Sequence, residues 1–301
     1  MKSIRIKAFA KVNLGLRVLE KRKDGYHNIE TVLQTISLFD QLDISLDNQS
    51  IVITADNPEL AVDETNLCYK ATKILLERTG QKRGVTIHIK KNLPIGAGLG
   101  GGSSDAASVL AGLNLLLSLR LSTEEMRSMA LPIGSDVPFF IDGGTAFVSG
   151  RGERIEPIIP EPFYNYLVVF PGFSIDTKWA YEKIKFLTKS KNYIKVLNYN
   201  FDAGVVKNGT MLIKNDFEEV MLKEYSELKI IRRLLILNGA ASVSLSGSGS
   251  SVYGIFDDKK KMDNALTKLA EKGYWVKEAF SIKSSEIPQF SFKSKEEREW
   301  K

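Results

Sequence analysis

Apolar residues recur along this chain at two spacings, and each spacing predicts a kind of element. Ala106, Val109, Leu110, Leu113, Leu116 and Leu117 recur three and four apart. They put an apolar stripe on a helix over residues 104–119, with Ser103 or Ser104 as its cap. Val85-Thr86-Ile87-His88-Ile89 is a short run rich in β-branched side chains and reads as a strand. The same reading gives strands over 4–9, 14–20, 41–46, 51–54, 166–170, 241–245 and 251–256. Further helices fall over 66–79, 123–131, 178–184, 217–222, 227–237 and 259–272, and Ser122-Thr123-Glu124-Glu125 has the form of a capping box. Strands and helices mix without strict alternation, so the expected fold class is α+β with antiparallel sheet rather than a doubly wound parallel sheet.

Glycines and prolines gather at Gly143-Gly144, Gly150-Arg151-Gly152, Pro157, Pro160 and Pro162. That punctuation divides the chain into a first domain over 1–155 and a second over 156–290, followed by a solvated tail over 291–301. The 301 residues are 43% hydrophobic and 26% charged, an ordinary globular balance. A single cysteine, Cys68, excludes an intramolecular disulfide. The first residues lack the continuous apolar core of a secretory signal, which makes the cytoplasm the expected location. The longest apolar stretch, 109–119, is interrupted by Asn114 and is too short to cross a bilayer, so no membrane span is expected. A net charge of +6 could suggest nucleic acid. The 42 basic residues are scattered among 36 acidic ones without a basic arm, however, and no nucleic-acid partner is expected.

The segment between the strand at 85–89 and the helix carries the strongest chemical signal. Residues 94–104 read Pro94, Ile95, Gly96, Ala97, Gly98, Leu99, Gly100, Gly101, Gly102, Ser103 and Ser104. Five glycines permit positive φ and close backbone approach, so successive N–H groups can converge on an anion at the positive end of the helix that follows. Gly96-x-Gly98-x-x-Gly101 fits the dinucleotide fingerprint literally, but the acidic strand end that fingerprint needs about 20 residues on is replaced by helix. A Walker loop needs Gly-Lys-Ser/Thr, and lysine is absent between Asn92 and Ser118. A flexible linker is a poor fit between a strand and a capped helix. Nucleotide binding through backbone amides is the reading that remains.

Other segments admit two readings each. Lys11 and Asn13 lie among small and apolar neighbours, where a lysine is either solvent-facing or functional. Asp136, in Gly134-Ser135-Asp136-Val137-Pro138, is a turn cap or a catalyst. Ser246-Gly247-Ser248-Gly249-Ser250-Ser251 is a plain hairpin turn or a second anion nest. Asp24-Gly25-Tyr26-His27 reads as a hairpin in which Tyr26 packs, Asn66 as a helix cap, Asp105 as a first-turn acid or a contact at the loop, and His88 as structural.

Taken together, the blocks at 94–104, 134–138 and 246–251 resemble the GHMP superfamily of small-molecule kinases, which includes galactokinase, homoserine kinase and mevalonate kinase. Residues 10–14, 24–27 and 171–175 are most similar to the branch that phosphorylates cytidine-diphospho-methylerythritol in isoprenoid precursor synthesis. The resemblance covers most of residues 1–256. It implies a two-domain fold, a ribosomal-protein-S5-domain-2-like half and a ferredoxin-like half with the active site in the cleft between them. It also implies transfer of the γ-phosphoryl group of ATP to a tertiary hydroxyl, with Lys11 and Asp136 as the catalytic pair. Asn66, Pro94 and residues 96–104 would take ATP. Asn13, Tyr26, His27, Thr177, Tyr181, Gly247, Ser248 and Gly249 would take the substrate, with the cytosine stacked between Tyr26 and Tyr181 and His27 at its edge. Mg2+ is expected to ride on the phosphates with no dedicated metal ligands, Ser104 and Asp105 being candidate contacts. The partner is a small molecule and the protein a monomer or homodimer. A homoserine- or mevalonate-type kinase, and a non-catalytic nucleotide-binding regulator, are the alternatives.

Overall fold

One strand dominates the first half. In the computed structural model, which describes residues 3–47, 50–184, 206–207, 210–211 and 214–292, the two strands expected over 4–20 are one, β1 (Ser3–Lys21). It pairs antiparallel with β2 (His27–Asp47), and register shifts at Phe9/Ala10, Asn13/Leu16 and Val18/Lys21 bend the ribbon. β2 begins 14 residues earlier than the expected 41, because His27, Asn28, Glu30, Gln34 and Asp40 interrupt the apolar alternation that marks a strand. β3 (Ile51–Ala55), α1 (Leu67–Thr79) and β4 (Gly84–Lys90) follow, then α2 (Gly101–Leu116), α3 (Thr123–Ala130), the single turn α4 (Phe139–Asp142), β5 (Thr145–Gly150) and β6 (Arg154–Pro157).

The second half contains β7 (Asn165–Phe170), α5 (Thr177–Ile184), the short β8 (Val206–Lys207) and β9 (Thr210–Met211), α6 (Phe217–Glu224), α7 (Ser226–Leu237), β10 (Ser242–Leu245), β11 (Val252–Phe256), α8 (Lys259–Ala270) and β12 (Trp275–Phe280). β13 (Gln289–Phe292) returns to the first sheet and pairs with β1. The first sheet runs β13-β1-β2-β4-β3, with β5 on the far end of β2 and β6 beyond it; only β3 and β4 are parallel. The second runs β10-β11-β7-β12, wholly antiparallel, which is the split βαβ order of a ferredoxin-like layer. The expected boundaries shift accordingly: β6 runs across 155/156, residues 289–292 belong to the first sheet as β13 rather than to the second domain and the tail, and the rest of the expected tail lies outside the described residues.

Three apolar clusters hold these layers. One packs α1 and α2 on the first sheet through Ile44, Ile87, Val109 and Leu113, and another packs α5 to α8 on the second. The third joins the sheets, with Val12, Leu14 and Ile36 against Tyr166, Val168 and Tyr253. Leu93, Ala97 and Leu99 of the glycine segment belong to this joining cluster, so the loop is nailed into the seam between the halves.

The start of α2 differs from the expectation. The helix opens at Gly101 rather than 104, Gly100 precedes it at φ 71, and neither Ser103 nor Ser104 caps it. Gly96, Gly98 and Gly100 all take positive φ, a conformation open to glycine that curls the loop straight into the helix without a side-chain cap. The helix also ends at Leu116, short of 119, in a tight exit where Ser118 and Arg120 take positive φ. The capping box at Ser122 and Glu125 is formed as expected.

Candidate active site

Lys11 is carried inward by β1, its backbone N–H held to the carbonyl of Leu99 at 2.9 Å. Its Nζ donates to Asn13 Oδ1 at 2.8 Å and to the Gly98 carbonyl at 2.9 Å, and faces Asp136 Oδ2 at 3.8 Å. The lysine is buried, while the Asp136 side chain, in the turn before α4, is 38% exposed. Burial pulls the Lys11 ammonium below the ordinary lysine value, and the neighbouring charge of Asp136 works the other way. The pair therefore joins a desolvated cation to a carboxylate that still meets the cleft.

The glycine segment alternates in function. Ala97 and Leu99 are buried anchors, and the glycines between them permit close approach. A Cβ on Gly98 would lie 2.8 Å from the Gly249 carbonyl oxygen, and one on Gly100 would lie 2.8 Å from the Phe140 ring. The turn at 246–251 is thereby pressed against the loop: Ser246 Oγ donates to the Gly98 carbonyl at 2.8 Å, and Ser251 N–H to the Ala97 carbonyl at 3.1 Å. Gly247 N–H donates to Asn13 Oδ1 at 2.7 Å, and Asn13 Nδ2 donates to Thr31 Oγ1 at 2.9 Å.

A cleft of about 780 Å³ opens over this network. Of the residues singled out in the sequence, Lys11, Asn13, Tyr26, His27, Gly98, Gly100, Ser103, Asp136, Thr177, Tyr181, Gly247 and Ser248 line it. Gly96 and Gly102 are exposed without lining the cleft, Gly96 with its Cα against Ser174, and Pro94 is half-buried. Gly101 backs onto Lys91 and Asp40, and Gly249 sits against the loop. Asn66 caps α1: its Oδ1 accepts from Cys68 N–H at 2.8 Å and its Nδ2 donates to the Ala61 carbonyl at 2.6 Å. The following Leu67 lies 3.7 Å from where a Gly102 Cβ would stand, which brings the α1 start beside the glycine loop.

At the far end of the cleft the aromatic arrangement differs from two facing plates. His27 lies flat against Tyr181, centroids 5.2 Å apart and planes 16° from parallel, and Phe217 meets Tyr181 edge-on at 5.0 Å. The Arg151 guanidinium covers the half-exposed Tyr26 ring at 4.6 Å. Burial, then the charge of Asp136, pushes the Tyr181 hydroxyl above the ordinary tyrosine range, so it stays protonated. Thr177 and Ser248 approach one another at 3.4 Å across the second half.

Ser104 and Asp105, expected as contacts at the loop, lie elsewhere, and Asp105 is held by two residues outside every motif, Lys91 and Asp40. Ser104 and Asp105 are both buried beneath the loop, not at its mouth, because the early start of α2 turns their positions inward. Asp105 Oδ2 accepts from Lys91 Nζ at 2.9 Å, and Lys91 also pairs with Asp40. Asp40 Oδ1 accepts from the N–H groups of Asn92 and Leu93 at 2.7 and 2.8 Å, fixing the bend into the loop. Asp105 stands four residues before Val109, on the buried stripe of α2, and a charge at such a position is the signal that would have pointed to a buried partner. His88, on β4, has its Nδ1 2.9 Å from Thr54 Oγ1.

A backbone anion cradle at a helix start, an adjoining lysine–carboxylate pair and a cleft ending in aromatics define a phosphate-handling enzyme built across two layers. The comparisons with known proteins agree. The family models "GHMP kinases N terminal domain" and "GHMP kinases C terminal" match residues 66–144 and 205–274. A 4-diphosphocytidyl-2-C-methyl-D-erythritol kinase of Thermodesulfovibrio yellowstonii is 44% identical over 278 residues, 90% of this chain and 95% of that protein. A crystal structure of 4-(cytidine 5'-diphospho)-2C-methyl-D-erythritol kinase superposes with a TM-score of 0.73 at 32% identity, covering 92% of this chain and 99% of that one. A homoserine kinase from Cytophaga hutchinsonii reaches the same TM-score at 17% identity, over 96% of this chain and 97% of that one, and shares the fold. The chain belongs to the GHMP kinases and, within them, to the 4-diphosphocytidyl-2-C-methyl-D-erythritol kinase family. Among the described residues, no helix is long and apolar enough to cross a membrane.

Proposed function

We propose that this protein is an ATP-dependent kinase that phosphorylates the 2-hydroxyl of 4-diphosphocytidyl-2-C-methyl-D-erythritol, giving the 2-phosphate and ADP in the non-mevalonate route to isoprenoid precursors. The observation that carries the mechanism is the 3.8 Å approach of buried Lys11 to Asp136 directly beside the glycine loop. Phosphoryl transfer is chiefly a matter of positioning and charge stabilisation. The free amides at the start of α2, together with its dipole, cradle the phosphates. Asp136 accepts the proton of the attacking hydroxyl, while the Lys11 ammonium holds both that carboxylate and the incoming oxygen. Asn13 keeps the ammonium in place and borders the position of the alcohol.

Tyr26, His27 and Tyr181 form the base end. Cytosine binding there calls for His27 to leave the face of Tyr181, so that the two tyrosines sandwich the ring and the imidazole meets its edge. Thr177, Ser248 and the Gly247–Gly249 backbone face the substrate from the second half, and the Asn66 region faces the nucleoside of ATP from the first. Mg2+ accompanies the ATP. The ion would be carried on the phosphate oxygens, with Ser103, on the cleft wall in the first turn of α2, beside it. When bound, the ion neutralises charge on the transferring phosphates. We further place the enzyme in the cytoplasm, as a monomer or homodimer.

The test is ADP release with the cytidylated substrate, homoserine and mevalonate in parallel. Turnover confined to the cytidylated alcohol is expected. Turnover only with homoserine or mevalonate would reassign the substrate, and none with any of the three would point to a nucleotide-binding regulator.

A further inference from the structure

Asn215 is buried at 2% exposure just ahead of α6, outside every motif considered so far. We propose that Asn215 is a positioning residue for the phosphoryl transfer, holding the Lys11 ammonium in place through Gly247 and Asn13. The inference rests on the assignment of Lys11 and Asp136 made above.

Its backbone is clasped to the same strand that carries Lys11. Leu16 N–H donates to the Lys214 carbonyl and Asp216 N–H to the Leu16 carbonyl, each at 2.9 Å, and Asp216 Oδ2 accepts from Val18 N–H at 2.9 Å. From that fixed point the two hydrogens of Nδ2 reach the carbonyls of Leu245 and Gly247 at 3.0 and 2.9 Å, while Oδ1 accepts from Phe217 N–H at 3.0 Å. All three hydrogen bonds are local to one planar amide, so Asn215 grips both carbonyls that flank the peptide between Ser246 and Gly247. That peptide's N–H then points at Asn13 Oδ1, the oxygen that also receives Lys11 Nζ. The relay therefore bolts β1 of the first half to the 246–251 turn of the second at the point where the catalytic cation sits. With the turn released, Asn13 loses one of two donors and Lys11 keeps Gly98 as its firm anchor. A displacement of about 1 Å is enough to cost on the order of 10²-fold in rate.

The test compares Asn215→Asp with the parent enzyme. The substitution keeps the shape and the acceptor for Phe217, and sets carboxylate oxygen against the two carbonyls. ADP release with the cytidylated substrate is measured in the parent, in Asn215→Asp, in Asn13→Ala and in the double variant, each normalised to ATP-binding sites. The expected result is a kcat about 10- to 100-fold lower with KM for ATP within about twofold. The alkaline limb of the rate profile should move toward the ordinary lysine range, since a displaced ammonium meets more water. In the Asn13→Ala background the same change should cost less than about threefold, because both substitutions cut one relay. An unchanged kcat in folded Asn215→Asp overturns the proposal, and so does a full multiplicative loss in the double variant. An Asn13→Ala enzyme of parental rate overturns the relay as well, and none of these results touches the Lys11–Asp136 assignment, which Asp136→Asn tests by itself because Lys11 meets Asp136 and Gly98 without Asn13. Should the aspartate variant not fold, Asn215→Ala carries the same comparison.

Discussion

Lys11 Nζ faces Asp136 Oδ2 at 3.8 Å while it is hydrogen-bonded to Asn13 and Gly98. The carboxylate is thus close enough to be held by the cation and open enough to receive a proton from a substrate in the cleft. Asp136→Asn should lower kcat by roughly 10²- to 10⁴-fold, the range for a lost general base, with ATP affinity nearly unchanged. Steady-state kinetics with nucleotide titration decides it: an undiminished kcat removes Asp136 from the proton transfer.

The pH profile gives a second test of the same pair. Burial lowers the Lys11 pKa from the ordinary 10.5, so the ammonium is lost at a lower pH than an exposed lysine would lose it. The rate should fall on an alkaline limb below about 10.5. In Asp136→Asn, where the raising influence of the carboxylate is gone, the limb of the residual activity should move lower still. A limb that stays put would mean that another group titrates there.

The loop was legible in the sequence because backbone chemistry writes itself in glycines: Gly96, Gly98 and Gly100 do take the positive φ that their presence suggested. The amphipathic helices were legible for the same local reason. What was hidden depends on contacts distant in sequence. β5, β6, β12 and β13 are short and take their pairing from partners up to hundreds of residues away, as β13 does from β1. The early start of α2 followed from the glycine conformations and not from the serines that cap helices elsewhere. Asp40 of β2, Lys91 just past β4 and Asp105 of α2 are far apart in sequence, and each alone reads as a surface charge. Tyr181 and His27 were both legible as aromatics of one pocket, but their mutual stacking is a matter of rotamers that no spacing encodes.

Base recognition supplies a third prediction. If His27 and the two tyrosines read cytosine, cytidine diphosphate should compete with the substrate at least about tenfold better than uridine diphosphate, since a misplaced donor or acceptor leaves buried polar groups unpaired. His27→Ala should erase most of that preference. Equal inhibition by the two diphosphates would dismiss the base-reading role.

Close approach, rather than conformational freedom alone, sets the value of Gly98. Gly273 takes φ +83 with open space around it, whereas a Cβ at Gly98, φ +78, would lie against the carbonyls of Ser246 and Gly249. Gly273→Ala should therefore cost only the left-handed backbone penalty, about 1–2 kcal/mol. Gly98→Ala should cost more and should also weaken ATP binding, because the loop must back away from the 246–251 turn. Equal melting shifts for the two variants would show that the turn yields freely.

Asp105 provides a stability prediction whose sign is unusual for an aspartate. Burial raises its pKa first, Lys91 opposes this, and the second carboxylate, Asp40, raises it again, leaving it at about 7 against an ordinary 3.8. Between those values the folded protein holds a proton that the unfolded chain releases, so raising the pH from 4 to 7 lowers stability, and below 4 or above 7 the contribution is level. Lys91, whose pKa is raised by Asp105 and Asp40 in spite of its burial, contributes only at alkaline pH and does not disturb this window. Asp105→Asn keeps a neutral acceptor for Lys91 and has nothing to titrate. The melting temperature of the parent minus that of Asp105→Asn should accordingly fall between pH 5 and pH 8, by roughly 2–4 °C for each kcal/mol lost. A difference that is flat across that range, or that rises, would mean that Asp105 is already ionised at pH 5 and that Lys91 holds two charged carboxylates beneath the glycine loop.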